Sequence, residues 1–474
     1  MNLVGGRPSA SYPASLFAGG EQGAWYDPSD LTTMFQDSAG TTPVTAPAQS
    51  VGRILDKSGR GNNATQATSA SRPTYGINPI VGTRNLLTYT EQFDNAAWTK
   101  SNATITADTA VAPDGTTTAD SILDTAVTNI HYCAESMTAL SPSGKTYTVS
   151  AYGKANTLNY MTIGITDVSS GSLYATAVFN LSTGVVSTSG AAGTGYSVVS
   201  SSISAVGDGW YRCVVTVVAG TSVTFLRAVI ATNKTGIISA GAGGLQNYLG
   251  NGSGFYAWGI QLEQASAVTA YQKVVSQYEV TEVGVASVSY LAFDGVDDGM
   301  ATGTITPSTD KAQVFAGARK LSDTAFQSIT ELSASVDANI GSFCLGANTL
   351  NGDASRRTWA SVLSGTTSGI LGGAAIYAAP LTNVLSGIYD ISLSTAATEN
   401  ILRVNGVQQT LVITGTSAGT GNFNAYPIYL GRRGGPSNPF NGRIYSLIVR
   451  FGYNLTTEQT TSTESYVNGK TGAY

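Results

Sequence analysis

The sequence predicts an all-β chain of β-sandwich or jelly-roll type. Short runs that alternate apolar and polar side chains recur from about residue 100 onward, separated by Gly, Ser, Asn and Thr clusters. Only one stretch reads convincingly as a helix, and it lies at the C-terminal end. A length of 474 residues admits two or three domains and is ample for a buried core.

Taken in order, residues 1–24 are dominated by Gly, Pro, Ser and Ala, with Tyr12, Leu16 and Phe17 as sparse apolar points. This reads as an extended arm, free or docked on a partner. TYTVSAYGKA (146–155), LYATAVFNL (173–181), WYRCVVTVVA (210–219), TFLRAVIAT (224–232) and GIYDISLS (387–394) read as strands, and their period of two predicts one face on a core and one in water. ENILRVNGVQQTLVI (399–413) reads as a hairpin, because Asn405 and Gly406 tolerate the positive φ of a two-residue turn. In TTEQTTSTESYVNGK, Thr456 and Gln459 have capping-box spacing, and Asn468-Gly469 offers a left-handed stop. The many Thr residues weaken that helix.

Charged residues make up 11% of the chain, against a norm of about 25%. A surface of hydroxyl, amide and small groups loses little by desolvation when copies meet, which favours a homo-oligomer. The net charge of −5 and the absence of a Lys/Arg cluster exclude a nucleic-acid partner. No secretory signal opens the sequence and no 18-residue apolar run crosses it, so synthesis in a cytoplasm without the usual export, and no membrane insertion, is expected. Cys133, Cys213 and Cys344 lack any paired spacing and read as small core hydrophobes.

From Trp25 to Tyr75, the YDPSD, DKSGRGNNATQ and SRPTY elements resemble the opening of a LamG-like, concanavalin A-like jelly roll of bacteriophage and prophage structural proteins. In that family a strand ending in FDGVDD follows soon after; here SYLAFDGVDDGM arrives only at Tyr290. LRVNGV (402–407), PIYLGRR (427–433) and FNGRIYSLIVRFGYNLTTEQ (440–459) resemble the later strands and closing helix. The intervening NLLTYTEQFDNAAWTKSNATI (85–105), PDGTTTADSI (113–122), GDGWYRCVVTV (207–217) and FYAWGIQLEQASAVTAYQK (255–273) are similar to a phage head spike fibre module, itself like jelly-roll carbohydrate-binding modules. The resemblance thus implies two jelly-roll β-sandwiches, one inserted into the other, with a short C-terminal helix and an N-terminal arm. The expected domains are an arm over 1–24 for attachment or oligomerisation, a discontinuous LamG-like jelly roll over 25–82 plus 284–474, and an insert over 83–283.

Chemistry is sparse. No E-x-D-x-x-E pattern, nucleophile elbow or Walker spacing occurs, and His131 stands alone as the only histidine, so no catalytic residue is assigned. The acidic pairs Glu91/Asp94 and Glu279/Glu282 read as solvated charges on connecting segments. Trp98, Tyr152, Trp210, Tyr256 and Trp258 are the candidate sugar-stacking residues, although strand alternation must place about half of them in the core. Asp294, Asp297 and Asp298 have the oxygens to join a calcium shell, or equally to brace a tight turn through Asx-type bonds.

These readings together imply a non-enzymatic virion structural protein of a bacteriophage, a fibre, spike or head-decoration component. It would be a homotrimer in the manner of phage fibres, joined to other virion proteins by its arm and contacting host-surface glycans. The alternatives are a purely architectural capsid or tail-joint protein that binds no sugar, and an accessory chain of a glycan hydrolase.

Overall fold

The structure, a computed structural model, describes the chain except for residues 1–11, 81, 83, 138–142, 167–172, 221–225, 240–242, 324, 335–340, 348–357, 365–367, 374–376, 394, 415–420 and 436. Among the described residues it is all-β, with antiparallel pairings and one long helix, Thr457–Thr471. Two compact units form: Met1–Ile80 together with Ser287–Tyr474, and the continuous stretch Val81–Ala286 between them.

In the discontinuous unit, one sheet runs Thr74–Pro79, Ser287–Asp294, Asn441–Phe451, Lys311–Lys320, Leu381–Asp390, Asn400–Val404, Val407–Gln408. Asn441–Phe451 is bordered along one side by Lys311–Lys320. Along the other it is bordered first by Leu291–Asp294 and then by Gly23–Tyr26. Phe293 therefore shares a sheet with Trp25, Tyr75 and Ile444. A second sheet carries Met300–Ile305, Tyr426–Leu430, Gln327–Leu332 and Ser342–Ala347 at its centre, and the two enclose a core that includes Tyr26, Phe293, Val314, Phe343, Leu430 and Leu447.

The motifs of residues 25–75 serve this packing. Asp56 accepts from the Trp25, Ser58 and Asn62 amides at 2.9, 2.8 and 2.9 Å, and Asn62 Nδ2 donates to Gly23 O at 2.7 Å. DKSGRGNNATQ is thus closed around its own strand rather than around a phosphate.

The inserted stretch forms a sandwich of two sheets. One is ordered Val185–Ala192, Tyr174–Asn180, Tyr160–Thr166, Leu226–Asn233, Tyr132–Met137, Thr99–Ser101. The other is ordered Ser197–Gly207, Trp210–Val218, Thr146–Ala155, Gly254–Glu263, Ala119–Asp124, Ala103–Ala110. Ile163, Phe179, Val215, Ile230 and Leu262 fill the space between them. Cys133 and Cys213 lie in this unit and Cys344 in the other, all three buried. His131 is buried as well, its ring nitrogens 2.7 Å from Asn102 O and 3.2 Å from Tyr248 O.

Several expectations need correction. The segment expected as an arm over 1–24 lies outside the described residues up to position 11. From Tyr12 onward it packs on its own unit: Leu16 and Phe17 are buried against Phe315, Ile448 and Val467, and Arg450 donates to Leu16 O at 2.8 Å. Burial does not alternate along Thr146–Ala155 or Tyr174–Asn180, which are covered on both faces, whereas it does along Val185–Ala192 and Asn400–Val404. The strand expected at 387–394 ends at Asp390, whose carboxylate turns to accept from Ser392 N and Oγ.

Asn405 and Gly406, at φ 50° and 77°, make the hairpin turn as expected. Leu411–Thr414, however, leaves for the second sheet. The capping box of Thr456 and Gln459 is present, but the helix runs through Asn468-Gly469 to Thr471 and stops at Gly472, φ 63°. The Asn468 side chain caps that end by accepting from the Ala473 and Tyr474 amides, so it had no need to be the stop itself.

Candidate functional site

Four of the five aromatic residues selected from sequence, Tyr152, Trp210, Tyr256 and Trp258, are brought close together, yet not as a platform. Trp98 is 1% exposed in the sandwich core, and Trp210 and Trp258, at 2% and 4%, lie on the outer face of the second sheet of the insert. There they cluster with half-buried Tyr152, Tyr256 and Tyr271. The turn at 111–118 covers them: Trp210 Nε1 donates to Val111 O and Trp258 Nε1 to Thr118 Oγ1, each at 3.0 Å. Tyr152 is closed in by Arg212, 5.4 Å above its ring, and by Trp258 at 5.2 Å. The indole faces are used in packing, because an aromatic left on a sheet surface recruits the nearest loop as a roof.

Beside this cluster the same unit opens a cleft of about 330 Å³, within the size range of small-ligand sites. Its first wall is the segment 89–95, with Tyr89, Glu91, Asp94 and Asn95. Tyr89 adopts φ 50°, and Gln92 N closes the turn on Tyr89 O at 3.0 Å. Trp98, buried beneath, donates its Nε1 to Tyr89 O at 3.2 Å, so its part is to support the wall. Lys100 Nζ holds Asp94 O at 2.7 Å from the other side.

The second wall comes from an irregularity in the edge pairing. Ala103–Ala110 loses register with Ala119–Asp124 between Thr106 and Ala110, and Asp108 takes φ 55°. A bulge of this kind unpairs backbone donors and turns a side chain outward. Asp120, only 1% exposed, satisfies the freed Asp108 N at 3.0 Å with one oxygen and Phe93 N at 2.8 Å with the other. It ties both walls together. Burial, with the neighbouring charges of Asp94 and Asp108 adding, pushes its carboxyl up to about 6 despite those two bonds.

The rim is completed by Gln272–Ser276, joined to the first wall where Thr90 N donates to Val274 O at 3.1 Å and Val274 N to Thr90 Oγ1 at 3.1 Å. This register brings Lys273 Nζ within 2.6 Å of Glu91 Oε2, while Tyr271 OH donates to Glu91 Oε1 at 3.1 Å. Glu91 is 6% exposed, so the reading of Glu91/Asp94 as a solvated pair fails for Glu91; Asp94 is exposed at the mouth. Sequence reasoning did not single out Tyr89, Asp108, Asp120 or Lys273 as a site. Tyr89, Asp108 and Asp120 lie in stretches of clustered polar residues, 89–95 and 108–120, that are indistinguishable from ordinary loops until the strands are paired, and Lys273 lies in neither.

In the discontinuous unit, FDGVDDGM carries the chain from one sheet to the other. Asp294 Oδ1 accepts from the amides of Val296, Asp297 and Asp298 at 2.8, 3.3 and 3.4 Å, and Asp298 Oδ2 accepts from Asp294 N at 3.1 Å. Ser71 Oγ donates to Asp297 Oδ2 at 2.8 Å, and Gln66 Nε2 to Gly299 O at 2.6 Å. The earlier motifs therefore grip this loop directly. One oxygen from each of the three carboxylates lies within 4.8 Å of the others, with Asp294 and Asp297 exposed and Asp298 buried. Burial first, then Asp294 and Asp297, pushes Asp298 up to about 7. As a donor set this suits a hard divalent cation, and as it stands it is an Asx-braced turn.

No family model matches the chain, and no curated protein matches it. Among solved structures it is similar to the CBM40 module of a Ruminococcus gnavus IT-sialidase bound to α2,3 sialyllactose, at 16% identity over 34% of this chain and 97% of that one, with a TM-score of 0.25. It is also similar to domain 4 of AbnA, an extracellular arabinanase of Geobacillus stearothermophilus, in complex with arabinotriose (15%, 42% and 82%, TM-score 0.25). A third is a Bacteroides ovatus protein assigned to carbohydrate binding (10%, 70% and 79%, TM-score 0.26). At these identities and TM-scores the likenesses carry no argument about what this chain binds; the β-sandwich architecture rests on its own strand pairing.

Proposed function

We propose that the chain is a non-enzymatic structural protein of a bacteriophage virion, a fibre, spike or head-decoration component whose inserted sandwich contacts host-surface glycans. The observation that carries the glycan part is the cleft: amide, carboxylate and hydroxyl groups converge beside the half-buried ring of Tyr89, the combination that orients a sugar's hydroxyls. The virion part rests on the YDPSD, SRPTY and FDGVDD resemblance.

Asp120 supports the non-enzymatic reading. A general acid must reach its substrate, and this carboxyl is buried with both oxygens holding backbone amides. A charge-poor surface favours a homotrimer, in which weak single sites gain avidity of about two to four orders of magnitude.

The test is glycan binding by the purified chain, read by calorimetry for Asn95→Ala and Tyr89→Ala against the parent, with host polysaccharide chain length followed in parallel. Binding that both substitutions weaken, with chain length unchanged, is the expected result. Shortened polysaccharide, or binding indifferent to both substitutions, would overturn the proposal.

A further inference from the structure

From the charge balance of the cleft we infer that its ligand is a glycan that is neutral or bears free amino groups, and that carries no carboxylate, sulfate or phosphate. This rests on the glycan reading above and narrows it.

Glu91, Asp94, Asp108 and Asp120 line the cavity against a single cation, Lys273. That ammonium is already bonded to Glu91 at 2.6 Å, which leaves the remaining three carboxyls without a cation of their own in the lining. The backbone donors that would serve an anion are committed too. Phe93 N and Asp108 N, the two amides freed at the joined walls, both donate to Asp120.

An entering carboxylate or sulfate could still meet the side-chain donors of Tyr89, Gln92, Asn95 and Thr118, but it would exchange full hydration for these few neutral donors among carboxylates that repel it. Burial chiefly raises Asp120 above the usual carboxylate range, and the charges of Asp94 and Asp108 add to that rise. A sugar hydroxyl meets the opposite situation, because Asp94 and Asp108 stand exposed at the mouth as acceptors. An ammonium gains attraction as well.

The experiment titrates the full chain with three oligosaccharide sets of equal length: glucosamine oligomers, neutral glucose oligomers, and galacturonate oligomers. The expected order of affinity is amine-bearing, then neutral, then anionic. The last should be weakened about fivefold per charge that enters, the factor that one like-charge contact at 4 Å in water produces. Asp94→Asn with Asp108→Asn, both at exposed positions, should compress that order toward equality.

Anionic oligomers that bind as well as neutral ones, with the double variant unchanged, would overturn this inference while leaving the glycan reading in place. Failure of all three sets to bind would remove both.

Discussion

Replacing Asp298 by Asn isolates the electrostatic cost held in the FDGVDDGM loop. The Asp298 carboxyl is 7% exposed, within 4.8 Å of two other carboxylate oxygens, and pushed from 3.8 to about 7. The folded chain thus keeps a proton that the unfolded chain releases. The associated stability is fully present below about pH 3.8 and is lost as pH rises through 7.

A shift from 3.8 to about 7 corresponds to at most about 4 kcal/mol. Because Asp294 and Asp297 face water, screening reduces this to about 1–2 kcal/mol. Asn keeps an oxygen for the Asp294 amide and carries no charge. At pH 8 in chelator-treated buffer it should raise the melting temperature of the discontinuous unit by about 2–8 °C. At pH 4 the difference should vanish. The assay is a melting series from pH 4 to 8.5 for both proteins, and a shift equal at every pH, or a loss at pH 8, would refute the electrostatic reasoning. Calcium at about ten times a millimolar dissociation constant should give the parent about 1.4 kcal/mol at pH 8 and the variant less, since one of the three carboxylates has lost its charge while Asp294 and Asp297 keep theirs.

Further outcomes follow from the packing. Arg450, fully buried, donates to Leu16 O, Gln313, Tyr453 O and Glu21; Arg450→Met should cost about 3–5 kcal/mol and expose the segment around Leu16 to protease, which digestion under native conditions would reveal. Trp210→Ala should cost about 3–5 kcal/mol in chemical denaturation yet leave sugar affinity unchanged while the chain is folded, because that indole is core. Gly472→Ala places a Cβ 2.1 Å from Ile80 O at φ 63°, and a denaturation midpoint lowered by about 1–2 kcal/mol or more is expected.

Local chemistry was legible in the sequence wherever one short stretch decides the structure. Asn405-Gly406 makes its turn, Thr456 and Gln459 make their box, and Thr146–Ala155 matches the run read as a strand. Reading failed where a distant segment decides. Alternation along Trp210–Val218 cannot say that the turn at 111–118 will roof its outer face, so Trp210 and Trp258 looked available. Leu16 and Phe17 looked like points on an arm because their partners, Phe315 and Ile448, lie hundreds of residues away. The cleft was hidden for the same reason: Asp120, Glu91 and Lys273 meet only after three strands are registered, and the bulge at Asp108 has no sequence mark beyond a polar residue in a Thr-rich strand.

The strand Asn441–Phe451 also has a kinetic meaning. Gly23–Tyr26 and Leu291–Asp294 both lie along its one edge; Ser287–Ala292 already has Thr74–Pro79 as a partner, but Gly23–Tyr26, which leaves the ribosome early, must wait for a strand made almost last. The inserted sandwich, continuous from Val81 to Ala286, has all its partners long before then. Folding during synthesis is thus expected to finish the middle of the chain before its beginning, with high contact order delaying the outer unit. Chains cut short after residue 300 would then carry a protease-resistant core beginning beyond residue 80. Resistance of Trp25 in such chains would show that the early strand finds another partner while it waits.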